Sequence, residues 1–304
     1  MLHVALLATF SIVARDPKTG EIGVAVQSHW FNVGAIVSWA EAGVGAVATQ
    51  ANVEPAFGPR GLALLRDGKS ARDALAQLLA ADPEREVRQV AIIDAKGNVA
   101  AHTGKQTIPM AGHQIGDGFS VQANIMADAR VWPAMAKAYE TTQGPLAERL
   151  LAALDAAQAA GGDLRGMQSA AILIVDGTKS TEPYKHIKLN LRVDDSPKPL
   201  GELRRLWRVA QAYDKANEGD ALTAKRDFLG ASAAYVAAWQ LAPEMDELLF
   251  WAALGKAAAG RVTDADRLMR QAFERNPSWR ILLGRLRPSD SPGVPILQKR
   301  LGVR

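Results

Sequence analysis

Hydrophobic positions change period along the chain, and the changes mark its elements. TFSIVA (9–14) is rich in β-forming residues, DPKTG supplies proline and glycine for a turn, and Glu21–Ser28 returns. Ile22, Val24 and Val26 share one face of that return strand, leaving Gly23, Ala25 and Gln27 on a small-sided opposite face. GAIVSWA, the turn EAG and VGAVATQ read as a second strand pair, whose small residues allow another layer to approach closely. The period then becomes helical, with Ser70 a candidate N-cap before Ala74, Leu75, Leu78 and Leu79. Strands are expected at VRQVAIID, VAAHTG, AGHQIGDGF and SVQANIM. Two helices follow at about 129–141 and 145–160, the second stopped by Gly161-Gly162. SAAILIVDG and HIKLNLRVD complete this stretch. In the last, Ile187, Leu189, Leu191 and Val193 alternate with His186, Lys188, Asn190 and Arg192, which predicts one buried and one wet face.

Hairpins and helices thus come in groups, whereas a doubly wound parallel sheet alternates strand and helix. The expected fold is α+β: a four-layer αββα sandwich over residues 1–200, two antiparallel sheets stacked between helical covers. Beyond about Leu203 the chain turns to Ala- and Leu-rich helices. Ala231, Tyr235, Ala238, Trp239 and Pro243 recur 34 residues later as Ala265, Met269, Ala272, Phe273 and Pro277. That period resembles tetratricopeptide repeats, with GDALTAKRDF as an extra loop in the first unit. Residues 201–279 are therefore expected to form an all-α extension, followed by a basic tail at 280–304. Two such units are fewer than the three usually needed alone, so packing on the first domain or on a second subunit is expected, making a homo-oligomer or a repeat-bound protein partner the expected association.

Net charge is +4, but residues 280–304 carry six Lys/Arg against one Asp, and the rest is balanced. The excess is terminal, not a nucleic-acid-binding face. Cysteine is absent, which excludes disulfides, thiol nucleophiles and thiolate metal sites, and suits the cytoplasm. The five histidines lack HExxH or HxH spacing, so no metal site is expected; no cofactor motif is found either. The apolar opening run ends at Arg15-Asp16, short of the roughly 20 residues that span a bilayer, so no membrane role is expected.

Candidate chemistry sits at strand ends. Ser120, Gln122 and Asn124 share one face of SVQANIM, and buried amides need partners. They either bond within the domain or line a polar pocket, where Asn124 suits an oxyanion and Gln122 a substrate contact. Ser28-His29 adjoins a hydroxyl and an imidazole, though successive strand residues point to opposite faces. Thr49, Gln50, Asn52 and Glu54 form either a polar rim, with Thr49 and Asn52 binding substrate, or a loop capping the next helix. Gly161-Gly162-Asp163 with Arg165 does not follow a strand and open a helix, which argues against a phosphate loop.

TFSIVARDPKTGEIGVAVQS, GVGAVATQAN, GPRGLALL, AGGDLRGMQSAAILIV and VDDSPKPLGELRRL together resemble domain-of-unknown-function family 1028, assigned to the Ntn-hydrolase-like superfamily, over about residues 8–200. The opening hairpin also resembles that of proteasome-type Ntn hydrolases, whose first-strand threonine attacks an amide with its own α-amine as base. The resemblance implies Thr9 as nucleophile, with Gln27, Ser28 and His29 supporting it, and removal of MLHVALLA before it. Two functions stay open: an amidohydrolase acting on a small amide, or an unprocessed scaffold that binds a small ligand or a protein partner, with Thr9 an ordinary strand hydroxyl.

Overall fold

The computed structural model describes residues 6–303; His3 and most of the segment expected to be removed lie outside that range. The chain forms two compact units, divided between Arg204 and Arg205. The division falls inside a long helix.

The first unit runs β1 (Leu6–Leu7), β2 (Thr9–Arg15), β3 (Ile22–Ser28), α1 (Gly34–Val37), β4 (Ser38–Glu41), β5 (Gly45–Asn52), α2 (Phe57–Arg66), α3 (Ala71–Ala80), β6 (Arg88–Asp94), β7 (Val99–Thr103), β8 (Gly112–Gly116), β9 (Phe119–Asn124), α4 (Val131–Thr141), α5 (Leu146–Ala159), β10 (Ser169–Val175) and β11 (Ile187–Val193). The first sheet has the order β1-β5-β6-β7, with β4 also on β5; the second has β11-β10-β3-β2-β9-β8. Every pair is antiparallel.

Alternation along the strands sorts side chains between faces. From the first sheet, Val47, Val90 and Ile92 pack against Phe57, Leu62 and Leu65 of α2 and Ala74, Leu75 and Leu78 of α3. Its other face, with Ala46, Ala48, Ala91 and Ile93, meets Val13, Val24, Val26 and Ala171 of the second sheet. Alanines dominate one side of that contact, which lets the sheets close on the valines opposite. On the far face of the second sheet, Gly23 lies under Leu146 and Leu150 of α5, where a Cβ would come within 2.7 Å of Leu150 Cδ1. There too Phe119 packs its ring 4.6 Å from that of Tyr139 on α4. Ser70 caps α3 as expected, accepting from the Asp73 N–H at 3.1 Å.

Two local expectations are corrected. GAIVSWA is not one strand: Gly34–Val37 makes a helical turn before β4, and a Cβ on Gly34 would fall 2.5 Å from that of Ala171. The β11 alternation does not bury a whole face. This is the edge strand, and Ile187 is 39% exposed while Leu189 and Leu191 are only partly covered.

The long helix is α6 (Pro199–Ala224), followed by α7 (Phe228–Leu241), α8 (Asp246–Ala258), α9 (Val262–Arg275), α10 (Ser278–Arg285) and α11 (Gly293–Leu301). The repeat positions Ala231, Tyr235 and Ala238 of α7, and Ala265, Met269 and Ala272 of α9, lie in one buried core with Leu249, Phe250 and Ala253 of α8. The expected loop GDALTAKRDF is mostly helix, since Gly219–Ala224 continue α6. Within residues 280–303, Leu283, Val294, Leu297, Leu301 and Val303 join the same core. The described basic residues Arg280, Arg285, Arg287, Lys299 and Arg300 are exposed. Among the described residues no helix is long and apolar enough to cross a membrane.

Candidate functional site

The register of the second sheet assembles a polar row. Thr9 pairs with Ser28 on one side and Asn124 on the other, and Ser28 pairs in turn with Ser169. Asn124, Thr9, Ser28 and Ser169 thus cross four strands on one face. Two residues along, Ser11 pairs with Gln122. This face looks toward the first sheet, because the Ser11 hydroxyl donates to Gln50 Oε1 on β5 at 2.6 Å.

Polar groups buried between sheets need mutual partners, and here they form a network. Gln122 Nε2 donates to Ser11 Oγ at 2.6 Å, and the Ser120 hydroxyl donates to Gln122 Oε1 at 3.0 Å. Gln50 Nε2 donates to Gln89 Oε1 at 2.7 Å and to the Thr9 carbonyl at 3.1 Å. Gln89 is the hub: its oxygen also accepts from Asn124 Nδ2 at 3.0 Å. Its Nε2 faces Thr103 Oγ1 and the Ala123 carbonyl, both at 2.9 Å, and the Gly112 carbonyl at 3.1 Å. Thr103 Oγ1 in turn lies 2.8 Å from His113 Nδ1. Burial, then the neighbouring His102, pushes the His113 imidazole below its usual value. That favours the neutral ring, whose Nδ1 can accept the threonine proton.

At the end of the row, the Thr9 hydroxyl donates to Ser28 Oγ at 3.1 Å, and the Ser28 hydroxyl donates to the Ala8 carbonyl at 2.5 Å. A second donor reaches that carbonyl: Arg165 Nη2, at 2.9 Å. Arg165 is held by Asp163, which accepts from its Nε at 3.2 Å, its Nη2 at 3.0 Å and its backbone N–H at 2.9 Å. Strain marks the surroundings: Ile125 and Ala51 adopt φ of +55° and +67°, a conformation costing about 1–3 kcal/mol for a non-glycine residue. The Ile125 carbonyl accepts from Leu164 N–H at 3.2 Å, tying β9 to the loop that carries Asp163.

Of the eight residues given a site role from sequence, four, Thr9, Ser28, Gln122 and Asn124, therefore meet, and Ser120 and Gln50 join them. The other four do not join them. Gln27 points to the opposite face, fully buried with neither amide atom bonded. The His29 ring makes no bond to Ser28; its Nδ1 is buried without a partner, while its backbone N–H donates to Asp163 at 2.9 Å. Thr49 faces the helices, donating to the Glu54 carbonyl at 3.2 Å. Asn52 ends β5 opposite Leu6, with its carbonyl taken by Arg88 Nη1 at 2.8 Å. Asn124 has its Nδ2 engaged by Gln89 and, at 3.4 Å, by the Thr9 carbonyl. The Thr9 side chain itself is 0% exposed.

Ser11, Gln89, Asp163 and Arg165 belong to the site but were not chosen from sequence. Ser11 shares the parity of Thr9, and Gln89 that of Ala91 and Ile93, so those two were open to the same face reasoning. Asp163 and Arg165 stood out in the sequence only as part of a glycine-rich loop, because the groups they reach beyond each other, the His29 N–H and the Ala8 carbonyl, lie more than a hundred residues away. Among the described residues no group of three or more histidines and acids could hold a metal ion.

The model of the family of unknown function DUF1028 matches residues 9–203. A crystal structure of a DUF1028 protein from Silicibacter pomeroyi is 34% identical, with a TM-score of 0.61, covering 67% of this chain and 86% of that one. The ancestral β-subunit Anbu from Yersinia bercovieri is 11% identical over 65% of this chain and 92% of its own, with a TM-score of 0.33, too low to inform fold or chemistry. No functionally curated protein matches the chain. With the family model spanning most of the first unit, and a solved member sharing a third of its residues, this chain belongs to the family of unknown function DUF1028.

Proposed function

We propose that the described chain is the precursor of an Ntn-type amidohydrolase that cleaves its own Ala8–Thr9 bond and then acts on a small amide. The helix–sheet–sheet–helix contacts of the first unit support the four-layer αββα sandwich that this chemistry uses. One observation carries the reading: the relay from the Thr9 hydroxyl to Ser28, and from Ser28 to the Ala8 carbonyl oxygen. As Thr9 Oγ1 attacks the Ala8 carbonyl carbon, its proton has a path to Ser28, and the Ser28 proton has a path to the oxygen gaining charge. Breaking the C–N bond, with the proton passed on to nitrogen, leaves an ester between Ala8 and the Thr9 oxygen. Water then hydrolyses it to an Ala8 carboxylate and a chain starting with a free Thr9 amine. That amine is the general base for later substrates, which reach it only after residues 1–8 depart.

The test is the intact mass and first residue of the purified protein. The expected chain begins at Thr9, and Thr9→Ala and Ser28→Ala retain the leading segment while melting as folded proteins. A folded wild-type chain that keeps residues 2–8 through prolonged incubation refutes self-cleavage.

That outcome supports the second reading, an uncut scaffold. It is favoured by the complete burial of Thr9 and by a cavity of about 480 Å³ elsewhere, between α2 and α3, lined by Phe57, Leu64 and Leu78 with Arg60 and Asp67. In either reading, the matching burial of α7 and α9 at a 34-residue offset supports a tetratricopeptide-like array. Its role is association, with a protein partner or a second copy of the chain, read by sedimentation equilibrium.

A further inference from the structure

Self-cleavage as proposed above leaves the loop after α5 without a role, yet that loop is tightly built. Gly161 and Gly162 take φ of +116° and +59°, closing the helix with bonds from their N–H groups to the Gln158 and Ala157 carbonyls. The chain is thereby turned to deliver Asp163. The Asp163 side chain is wholly excluded from solvent, and it gathers the His29 N–H, the Arg165 N–H and the Arg165 guanidinium. Its effect is to fix a long, otherwise adaptable cation in one orientation.

That cation ends on the Ala8 carbonyl oxygen, which already accepts from Ser28. One donor is the minimum that a buried peptide carbonyl needs. A hydroxyl and a guanidinium converging on the same oxygen provide more, and their benefit grows as the carbonyl becomes tetrahedral and its oxygen takes negative charge. Asn124, which sequence reasoning favours for this task, has its Nδ2 on Gln89 and the Thr9 carbonyl instead.

We propose that Arg165 is the oxyanion-stabilising catalytic residue of this site and Asp163 its positioning residue. The guanidinium and the Ser28 hydroxyl hold the Ala8 oxygen during self-cleavage and the carbonyl oxygen of an amide substrate afterwards. The inference rests on the self-cleavage reading, which supplies the reaction.

The experiment follows freshly translated full-length chain by intact mass, timing the appearance of the form that starts at Thr9. Removing an oxyanion donor costs on the order of 10²–10³ in rate. Arg165→Ala is expected to slow cleavage by about that factor. Arg165→Lys, which keeps a cation but loses the fork, falls between it and wild type, as does Asp163→Asn. Millimolar guanidinium chloride is expected to restore part of the rate to Arg165→Ala and none to Thr9→Ala. Circular-dichroism melts identify variants that fold. Rescue separates chemistry from structure, since a merely structural arginine would not be replaced by a small diffusing cation. If wild type cleaves and folded Arg165→Ala or Arg165→Lys cleaves equally fast, this inference is overturned while self-cleavage stands. Slow cleavage by folded Arg165→Ala that guanidinium fails to raise also overturns it. If wild type never cleaves, both fall together.

Discussion

Replacing Gln89 by leucine tests whether the polar seam between the sheets is held by its hub. The substitution keeps side-chain volume roughly constant and removes one acceptor and one NH₂ group. Asn124 Nδ2 is then left with only its 3.4 Å contact to the Thr9 carbonyl, and the Ala123 and Gly112 carbonyls lose the Gln89 donor. Gln50 Nε2 keeps the Thr9 carbonyl at 3.1 Å, so its loss is smaller. Each buried group left unsatisfied costs about 1–3 kcal/mol, and the leucine side chain returns about 1–2 kcal/mol of burial. The net expectation is a loss of about 3 kcal/mol. For a unit of this size, 1 kcal/mol moves Tm by about 2–4 °C, which gives a fall of roughly 6–12 °C. Urea titration of the full chain with a far-UV signal, and calorimetry alongside, read both quantities. The chain has two units, so the transition of the helical unit should stay put and serve as an internal reference. Gln114→Leu, on exposed β8, is the external control and should change stability by less than about 0.5 kcal/mol. A Gln89→Leu loss under about 1 kcal/mol with an unchanged urea slope would refute the reasoning, because it would mean that water reaches these groups.

Burial pushes the Asp82 carboxyl up, but the Arg88 guanidinium at 2.8 Å and the Glu84 N–H outweigh it, leaving the group below its usual value. Its stabilisation is therefore complete above about pH 4 and fades as pH falls through the lowered folded value; the urea midpoints of wild type and Asp82→Asn should differ at pH 7 and converge in acid, and a constant gap would contradict the assignment. Ser70→Ala removes the oxygen that caps α3 and should cost about 1 kcal/mol in the same titration, against no measurable change if the cap were idle.

Much of the fold was legible because it depends on local periodicity. The turn at DPKTG, the cap at Ser70, the Gly161-Gly162 stop and the alternation of β9 each follow from a few adjacent residues. The same parity placed Ser120, Gln122 and Asn124 on one face, and it shows why Ser28 and His29 could not act as a direct pair. GAIVSWA misled because small apolar residues suit a helical turn as well as a strand, and close packing of Gly34 on Ala171 decided between them. At β11 the pattern named the apolar face but could not say that the strand lies at an edge, where Ile187 is exposed and Leu189 and Leu191 are only partly covered.

By itself, the amino-acid order determined which residues of each strand share a face, where most of the helices begin and stop, and that Thr9 opens the first long strand beside a return strand that ends in Gln27-Ser28. Only tertiary structure decided register: Thr9 opposite Ser28 and Asn124, Gln89 reaching across from the other sheet, and a loop more than 150 residues downstream delivering Arg165 to the carbonyl of Ala8. The physical reason is that face and turn are set by bonds between neighbours. Convergence on one oxygen depends instead on how sheets and loops stack, a property of burial summed over the whole unit that no short stretch of sequence encodes.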